Sequence, residues 1–190
     1  MKSEATSPAE PPRERIRNLV SAALVTALMA ASGVVSIPLG TVPVTLQVFG
    51  VLLAALLLPW AWAGAALGVY LVMGMIGIPV FAGGTAGIGI VFGPTGGYLV
   101  GFVVAALVAA LLRQSLERAG ARQLVADVAA GAFAIVVIYV IGWAQLAAVT
   151  HMGAMPAFLA GVAPFLAPDA IKAAVAITVA TAVRRATGTR

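Results

Sequence analysis

The chain has no cysteine. Disulfides, thiolate metal sites and thiol catalysis are therefore excluded. It has one histidine, His151, with no second metal ligand beside it, so a surface role is expected there. Charge is scarce: Asp, Glu, Lys and Arg make up 9% of the 190 residues, while 62% are hydrophobic. A water-soluble domain covers itself with roughly 25% charged residues. This chain has too few for that, and it reads as an all-α integral membrane protein. Residues 18–112 carry no charged side chain, and between Asp127 and Arg184 only Asp169 and Lys172 are charged. No Gly-Lys-Ser/Thr phosphate loop occurs, so the chain is not expected to bind a nucleotide or hydrolyse ATP itself. The Gly-x-Gly at Gly87 and Gly89 lacks the strand and the acid of a dinucleotide site. One histidine, no cysteine and no paired carboxylates argue against an enzyme, and neither a cofactor nor a metal is expected.

What is present is a series of apolar runs. A helix needs about 20 residues to cross the hydrocarbon, with about 17 as the short end. Six candidates occur at residues 18–36, 46–58, 62–77, 98–112 (running on towards Ser115), 124–148 and 168–183. Several are short. They reach span length by extending into flanking Gly/Pro segments, or they are packed partly inside the protein. Six spans put ten of the eleven basic residues on one side: Lys2, Arg13, Arg15 and Arg17, then Arg113, Arg118 and Arg122, then Arg184, Arg185 and Arg190. The positive-inside rule makes that side, with both termini, cytoplasmic. A cleaved leader ending near Ala30 to Gly33 would leave five spans and break this pattern. Residues 1–14, with Pro8, Pro11 and Pro12, are expected as a disordered tail. A membrane domain over 15–186 and a short tail over 187–190 complete the division. The net charge of +5 sits at one membrane face, where lipid head groups rather than nucleic acid are the expected partner.

The opposite connections are unusual. Residues 37–47 are apolar, proline-bearing and uncharged, which suits a lid or a cavity wall better than a solvated loop. Residues 77–98 hold eight of the 21 glycines, which suits a tightly packed re-entrant turn, a ligand-contacting loop, or both. On the first span Ala23, Ala27 and Ala31 recur every fourth residue. Such a smooth stripe lets another helix approach closely, either within the chain or from a separate membrane subunit. Gly64 to Gly68 and the series Gly93, Gly97, Gly101 are expected to pack internally. Trp60, Trp62 and Trp143 fit an interfacial aromatic belt. Tyr98 and Tyr139 need partners for their hydroxyls, in the core or on a ligand.

The pair Asp169 and Lys172 carries the chemistry. A charge at the centre of a membrane helix costs about 2.5–3.5 kcal/mol on insertion scales. Near a helix start the dipole and a preceding proline explain an aspartate, but they do not explain a lysine. Three-residue spacing puts both on one face. A structural ion pair or a lysine reaching for the surface is the plain account. The functional account is a matched donor and acceptor: the ammonium donates to a carbonyl oxygen, and the carboxylate accepts from an adjacent N–H. A cyclic urea or lactam has that pattern. Gln47 and Thr45 are neutral polar groups that could add contacts in an otherwise apolar cavity.

Four segments then meet a family. Val42-Pro-Val-Thr-Leu-Gln47, Gly77-Ile-Pro-Val-Phe-Ala-Gly-Gly84, Gly93-Pro-Thr-Gly-Gly-Tyr98-Leu-Val-Gly-Phe102 and Pro168-Asp-Ala-Ile-Lys-Ala173 resemble the BioY family in the right order, over about residues 15–185. These are the biotin-binding S components of energy-coupling-factor (ECF) transporters. The resemblance implies a six-helix S-component bundle in the prokaryotic plasma membrane. It implies an externally open biotin site built from helices four to six and the outer loops. Asp169 and Lys172 match the polar pair associated with the ureido ring, and Gln47, Thr45, Tyr98, Tyr139 and Thr85 join the expected site. Backbone N–H groups over 83–87, Thr85 or water are left to meet the biotin carboxylate. Ala23, Ala27 and Ala31 match small positions that contact a transmembrane T component, which brings the ABC-type ATPases. A rival class is an ion-coupled secondary transporter of a small amphipathic solute, with Asp169 as its ion site. No clear three-plus-three repeat supports that rival.

Overall fold

The computed structural model describes residues 11–188, so residues 1–10, 189 and 190, with Lys2, Arg190 and most of the two expected tails, lie outside the described residues. Helix α1 covers Pro12–Val34. It starts inside the stretch expected as tail, because proline at the first helical turn has a preset φ and lacks only an N–H that the helix would not use. A hairpin of two-residue strands follows, β1 (Ser36–Ile37) against β2 (Val44–Thr45), antiparallel with Ser36 opposite Thr45. Then come α2 (Gln47–Leu57) and α3 (Trp60–Met75), separated by a Leu58-Pro59 turn. The glycine-rich segment forms a Phe81–Thr85 bridge around a single 3₁₀ turn, Ala82–Gly84, and then the one-turn helix α4 (Ile88–Val91). Long helices α5 (Gly96–Arg118) and α6 (Gln123–Thr150) pack along each other. A short helix α7 (Ala154–Gly161) lies in the connection where no element was expected, and α8 (Leu166–Thr187) closes the bundle.

Among the described residues, four helical stretches are long and apolar enough to cross a membrane: Pro12–Val34, Gly96–Arg118, Gln123–Thr150 and Ala154–Thr187. The second and third expected spans, now α2 and α3, are shorter. At 1.5 Å per residue the 11 residues of α2 run only about 16 Å, about half the hydrocarbon thickness. Their burial explains the shortness. All of α2 except Phe49 and Leu57 is buried, because α1, α3, α5, α6 and α8 surround it. Its near-continuous apolar run is a protein-core signal rather than a lipid-facing one.

The contact between α5 and α6 is built from small residues. Ala105, Ala106, Ala109, Ala130 and Ala134 are fully buried in the core. A β-carbon on Gly97 would sit 2.6 Å from the Ile141 carbonyl oxygen, and one on Gly101 would sit 3.3 Å from Ile138 Cα. Lipid offers no hydrophobic drive between helices, so such close approach supplies the association. Gly64 meets Leu107 of α5 in the same way, but Gly68 meets nothing within 4 Å and Ala65 is exposed, so the Gly64–Gly68 ladder packs internally at its Gly64 end and opens to the outside at Ala65 and Gly68. The Tyr98 ring occupies the space where Gly142 has no side chain. Gly142→Ala is expected to overpack this site and lower stability by about 1–3 kcal/mol. A fall in the thermal melting temperature of the purified chain would show it; an unchanged melt would refute the tight contact.

Candidate binding site

The hairpin, the glycine-rich segment, the first turns of α2, α5 and α8 and the middle of α6 meet around one cavity of about 150 Å³. Its apolar wall includes Val42, Val48, Phe81, Leu99, Phe102, Ile138 and Phe165. All seven expected contact residues line it: Thr45, Gln47, Thr85, Tyr98, Tyr139, Asp169 and Lys172. They come from regions far apart in sequence. The segment 37–47 is part of the wall, through Val42, Pro43 and Thr45.

Asp169 stands in the first turn of α8 but does not cap it; the helix begins at Leu166 with no side-chain cap. Its carboxylate has two partners instead. Lys172 Nζ donates to Oδ1 over 2.7 Å, and the Tyr139 hydroxyl of α6 donates to Oδ2 over 2.8 Å. The Asp169 side chain is 3% exposed and that of Lys172 is 11%, so the lysine is held at the cavity and does not reach out to the surface. An ion pair is present, as the plain account requires, but it faces a cavity. An ionised carboxylate offers about four lone-pair positions and an ammonium three donors. Two of the former and one of the latter are used here. Both groups keep capacity for a ligand with an adjacent C=O and N–H.

The neutral residues divide by what their polar atoms already do. The Tyr98 hydroxyl donates to the Gly161 carbonyl over 2.8 Å, tying α5 to α7. Its proton is committed to the protein, and it offers the cavity its ring. Thr85 donates to the Ala82 carbonyl over 2.9 Å, within the 3₁₀ turn. Thr45 donates to Gln47 Oε1 over 2.9 Å. Gln47 in turn donates to Tyr70, a fully buried residue of α3 that the sequence reading did not single out. Gln145 was also missed. Its Nε2 donates to the carbonyls of Val91 (2.8 Å) and Gly93 (2.9 Å) and fastens the glycine-rich segment to α6. The signal that flagged Asp169, a polar side chain alone in an apolar helix, would have found it. Trp143 does more than mark an interface: its indole N–H donates to Ala154 O over 2.9 Å, and its ring meets Phe158 edge-on, which holds α7 in place. His151 is exposed and ends α6 in a left-handed conformation with φ 55°.

Away from the cavity, Ala23 and Ala27 are exposed and line an apolar groove between α1 and α3, with Leu19, Thr26, Trp62 and Val69. Ala31 is exposed one turn further along and does not line the groove. At the arginine-bearing end, two residues depart from the sequence reading. Arg113 and Arg184 were expected among the loop charges that meet head groups, yet both are buried. Arg113 Nε donates to Ala55 O over 3.1 Å and its Nη1 pairs with Glu117 at 2.9 Å. Arg184 donates to Leu56 O over 2.9 Å and pairs with Asp127, which is fully buried on α6. The last carbonyls of α2 have no intrahelical donors, and buried inside the bundle they have no water. The two guanidinium groups supply the N–H donors.

The family model that describes the BioY family matches residues 1–189. The chain belongs to the BioY family. A "Probable biotin transporter BioY" of Pyrococcus horikoshii is 40% identical over 158 residues, covering 83% of this chain and 90% of the relative. A "Biotin transporter BioY" of Thermotoga maritima is 38% identical over 165 residues, covering 87% and 94%. Its counterpart in Rhodobacter capsulatus is 40% identical over 171 residues, covering 84% and 88%. Among solved structures, the 2.1 Å crystal structure of an S-component for biotin from an ECF-type ABC transporter superposes with a TM-score of 0.86, covering 93% of this chain and 95% of that one at 23% identity. At that identity the match speaks for the fold. This BioY-family chain is a multi-pass membrane protein with an S-component fold.

Proposed function

We propose that this chain is the biotin-capturing S component of an ECF-type vitamin uptake transporter. The observation that carries the reading is the buried Asp169–Lys172 pair, oriented by Tyr139 and facing an apolar cavity. It fits the ureido ring of biotin: Lys172 donates to the ring carbonyl, and Asp169 accepts from a ring N–H. The apolar wall takes the bicyclic body. Thr45, Gln47, Thr85, Tyr98 and Tyr139 complete the site, with backbone N–H groups over 83–87 near the carboxylate. The relatives' names support biotin as the substrate.

In this reading the chain crosses the plasma membrane six times, with both termini in the cytoplasm; the short helices α2 and α3 complete their crossings inside the protein, together with the flanking hairpin and glycine-rich segment. The membrane domain takes in the described helices from Pro12 to Thr187. The cavity then opens outward and the arginine end faces the cytoplasm, among lipid head groups. The chain binds no nucleotide or cofactor and is not an enzyme. Uptake is driven through a T component and its ABC-type ATPases, and the smooth α1 face at Ala23, Ala27 and Ala31 is the docking surface for the T component. The test is a titration of the purified chain, without ions or ATP, using biotin, desthiobiotin, biotin lacking its carboxylate and the ring-opened diamine that lacks the ureido carbonyl. Tight biotin binding is expected, with a larger loss on removing the ureido group than on removing the acid. Binding that appears only under a proton or sodium gradient would replace this reading with a secondary transporter.

A further inference from the structure

Gln47 is held in a chain of hydrogen bonds that begins at a backbone carbonyl. Val80 C=O can only accept. The Tyr70 hydroxyl donates to it over 3.2 Å. That uses the single proton of Tyr70, so its oxygen must accept from elsewhere, and Gln47 Nε2 is the donor that meets it. The amide oxygen is thereby turned the other way, to Thr45, whose hydroxyl donates to Oε1 over 2.9 Å. Thr45 Oγ1 then accepts the backbone N–H of Gln47 at 3.3 Å. An amide's oxygen and nitrogen are nearly alike in shape, and their assignment follows from the network around them. Here one carbonyl sets the direction of every bond.

The surroundings say which end meets the cavity. Nε2 lies beside Tyr70 and beside Gly33 of α1, where an added β-carbon would come within 3.1 Å of it. Neither Tyr70 nor Gly33 lines the cavity, whereas Thr45 does. The nitrogen is turned to residues away from the cavity, and the oxygen to Thr45 on its wall. After its bond from Thr45, Oε1 keeps a second lone pair. Tyr70 is locked in turn: it is fully buried, and the Phe81 ring packs edge-on against it with centroids 5.8 Å apart.

We propose that Tyr70 is a positioning residue. It fixes the sense of the Gln47 amide so that the cavity receives a carbonyl oxygen, which accepts a hydrogen bond from a ligand N–H. This deepens the biotin reading and rests on it. A cyclic urea has one C=O and two N–H groups; Lys172 serves the first, Asp169 one of the others, and Gln47 the remaining one.

The test is a double-mutant cycle read as biotin affinity of the purified full-length chain. Tyr70→Phe keeps the ring and removes the hydroxyl. It is expected to weaken biotin about tenfold, the scale of one lost hydrogen bond. In the Q47L background, with no amide left to orient, adding Y70F is expected to change affinity less than about twofold, a deviation from additivity that marks direct coupling. A structural role for Tyr70 alone would give the same tenfold loss in both backgrounds and would overturn the proposal. Gln47→Glu keeps an oxygen in place, so Q47E is expected to bind biotin better than Q47L; the reverse order would overturn the assignment of Gln47 as acceptor. Should the native chain fail to bind biotin at all, the proposed function falls first, and the two failures are told apart by that single control.

Discussion

Asp169→Ala will weaken biotin binding by about a hundredfold while leaving the protein folded in the membrane. Hydrogen bonds to charged groups contribute about 1.5–3 kcal/mol each, and 1.4 kcal/mol is tenfold in affinity. In the proposed site the substitution removes the acceptor for a ligand N–H. It also removes the partner that holds Lys172 Nζ at 2.7 Å and the acceptor for the Tyr139 hydroxyl at 2.8 Å. Lys172 is then a nearly buried cation with no counter-charge, free to swing away from the ligand carbonyl. Asp169→Asn is the informative companion. It retains an acceptor for Tyr139 and loses the charge, so an intermediate loss is expected. Equilibrium titration with labelled biotin, beside a check of membrane insertion, measures both. Unchanged affinity in D169A would remove the ion pair from the site and leave it as internal packing.

Arg184→Ala will produce the largest loss of stability. The guanidinium is the partner of Asp127, which is fully buried, and it also serves the Leu56 carbonyl. Removing it strands a buried carboxylate and a buried carbonyl together. Breaking a buried ion pair from one side costs about 3–5 kcal/mol. The pair is not saturated either: Asp127 Oδ1 and Arg184 Nε have no partner among the described residues. A half-satisfied network is a poor stabiliser, and well-packed apolar replacements of both ends are often neutral or better. The double variant D127L/R184M is therefore expected to recover most of the lost melting temperature, and to bind biotin like the native chain, because this cluster lies away from the cavity. A double variant as unstable as R184A would show that capping α2 matters more than the pair.

That the seven expected contact residues call for a reason was legible because a membrane sets a high cost on polar groups, and the structure puts all of them on one cavity wall. Asp169, Lys172 and Gln47 stand out against long apolar surroundings, and Thr45, Thr85 and Tyr98 stand at Gly/Pro-rich connections where backbone leaves the helices. The same rule misled at Arg113 and Arg184. Charge asymmetry assigns arginines to a side of the membrane, but it cannot say whether a side chain turns out to head groups or inward to helix carbonyls. It also hid Tyr70, which looks like one more aromatic in an apolar helix until its hydroxyl is seen between Gln47 and Val80. Helix α7 was invisible because eight residues with a proline carry little periodic signal; Trp143 and Tyr98, from two other helices, hold it.

By itself the sequence determined that the chain is helical and membrane-embedded, where its apolar runs begin and end, and which few polar residues need a reason to be there. Those follow from composition and spacing, since lipid leaves the backbone no option but to bond within each segment. Only the tertiary structure decided that α2 is a core helix, that two arginines cap it, and that side chains from Thr45 to Lys172 share one cavity. These depend on which helix faces meet, and two uniformly apolar faces are indistinguishable until they are packed.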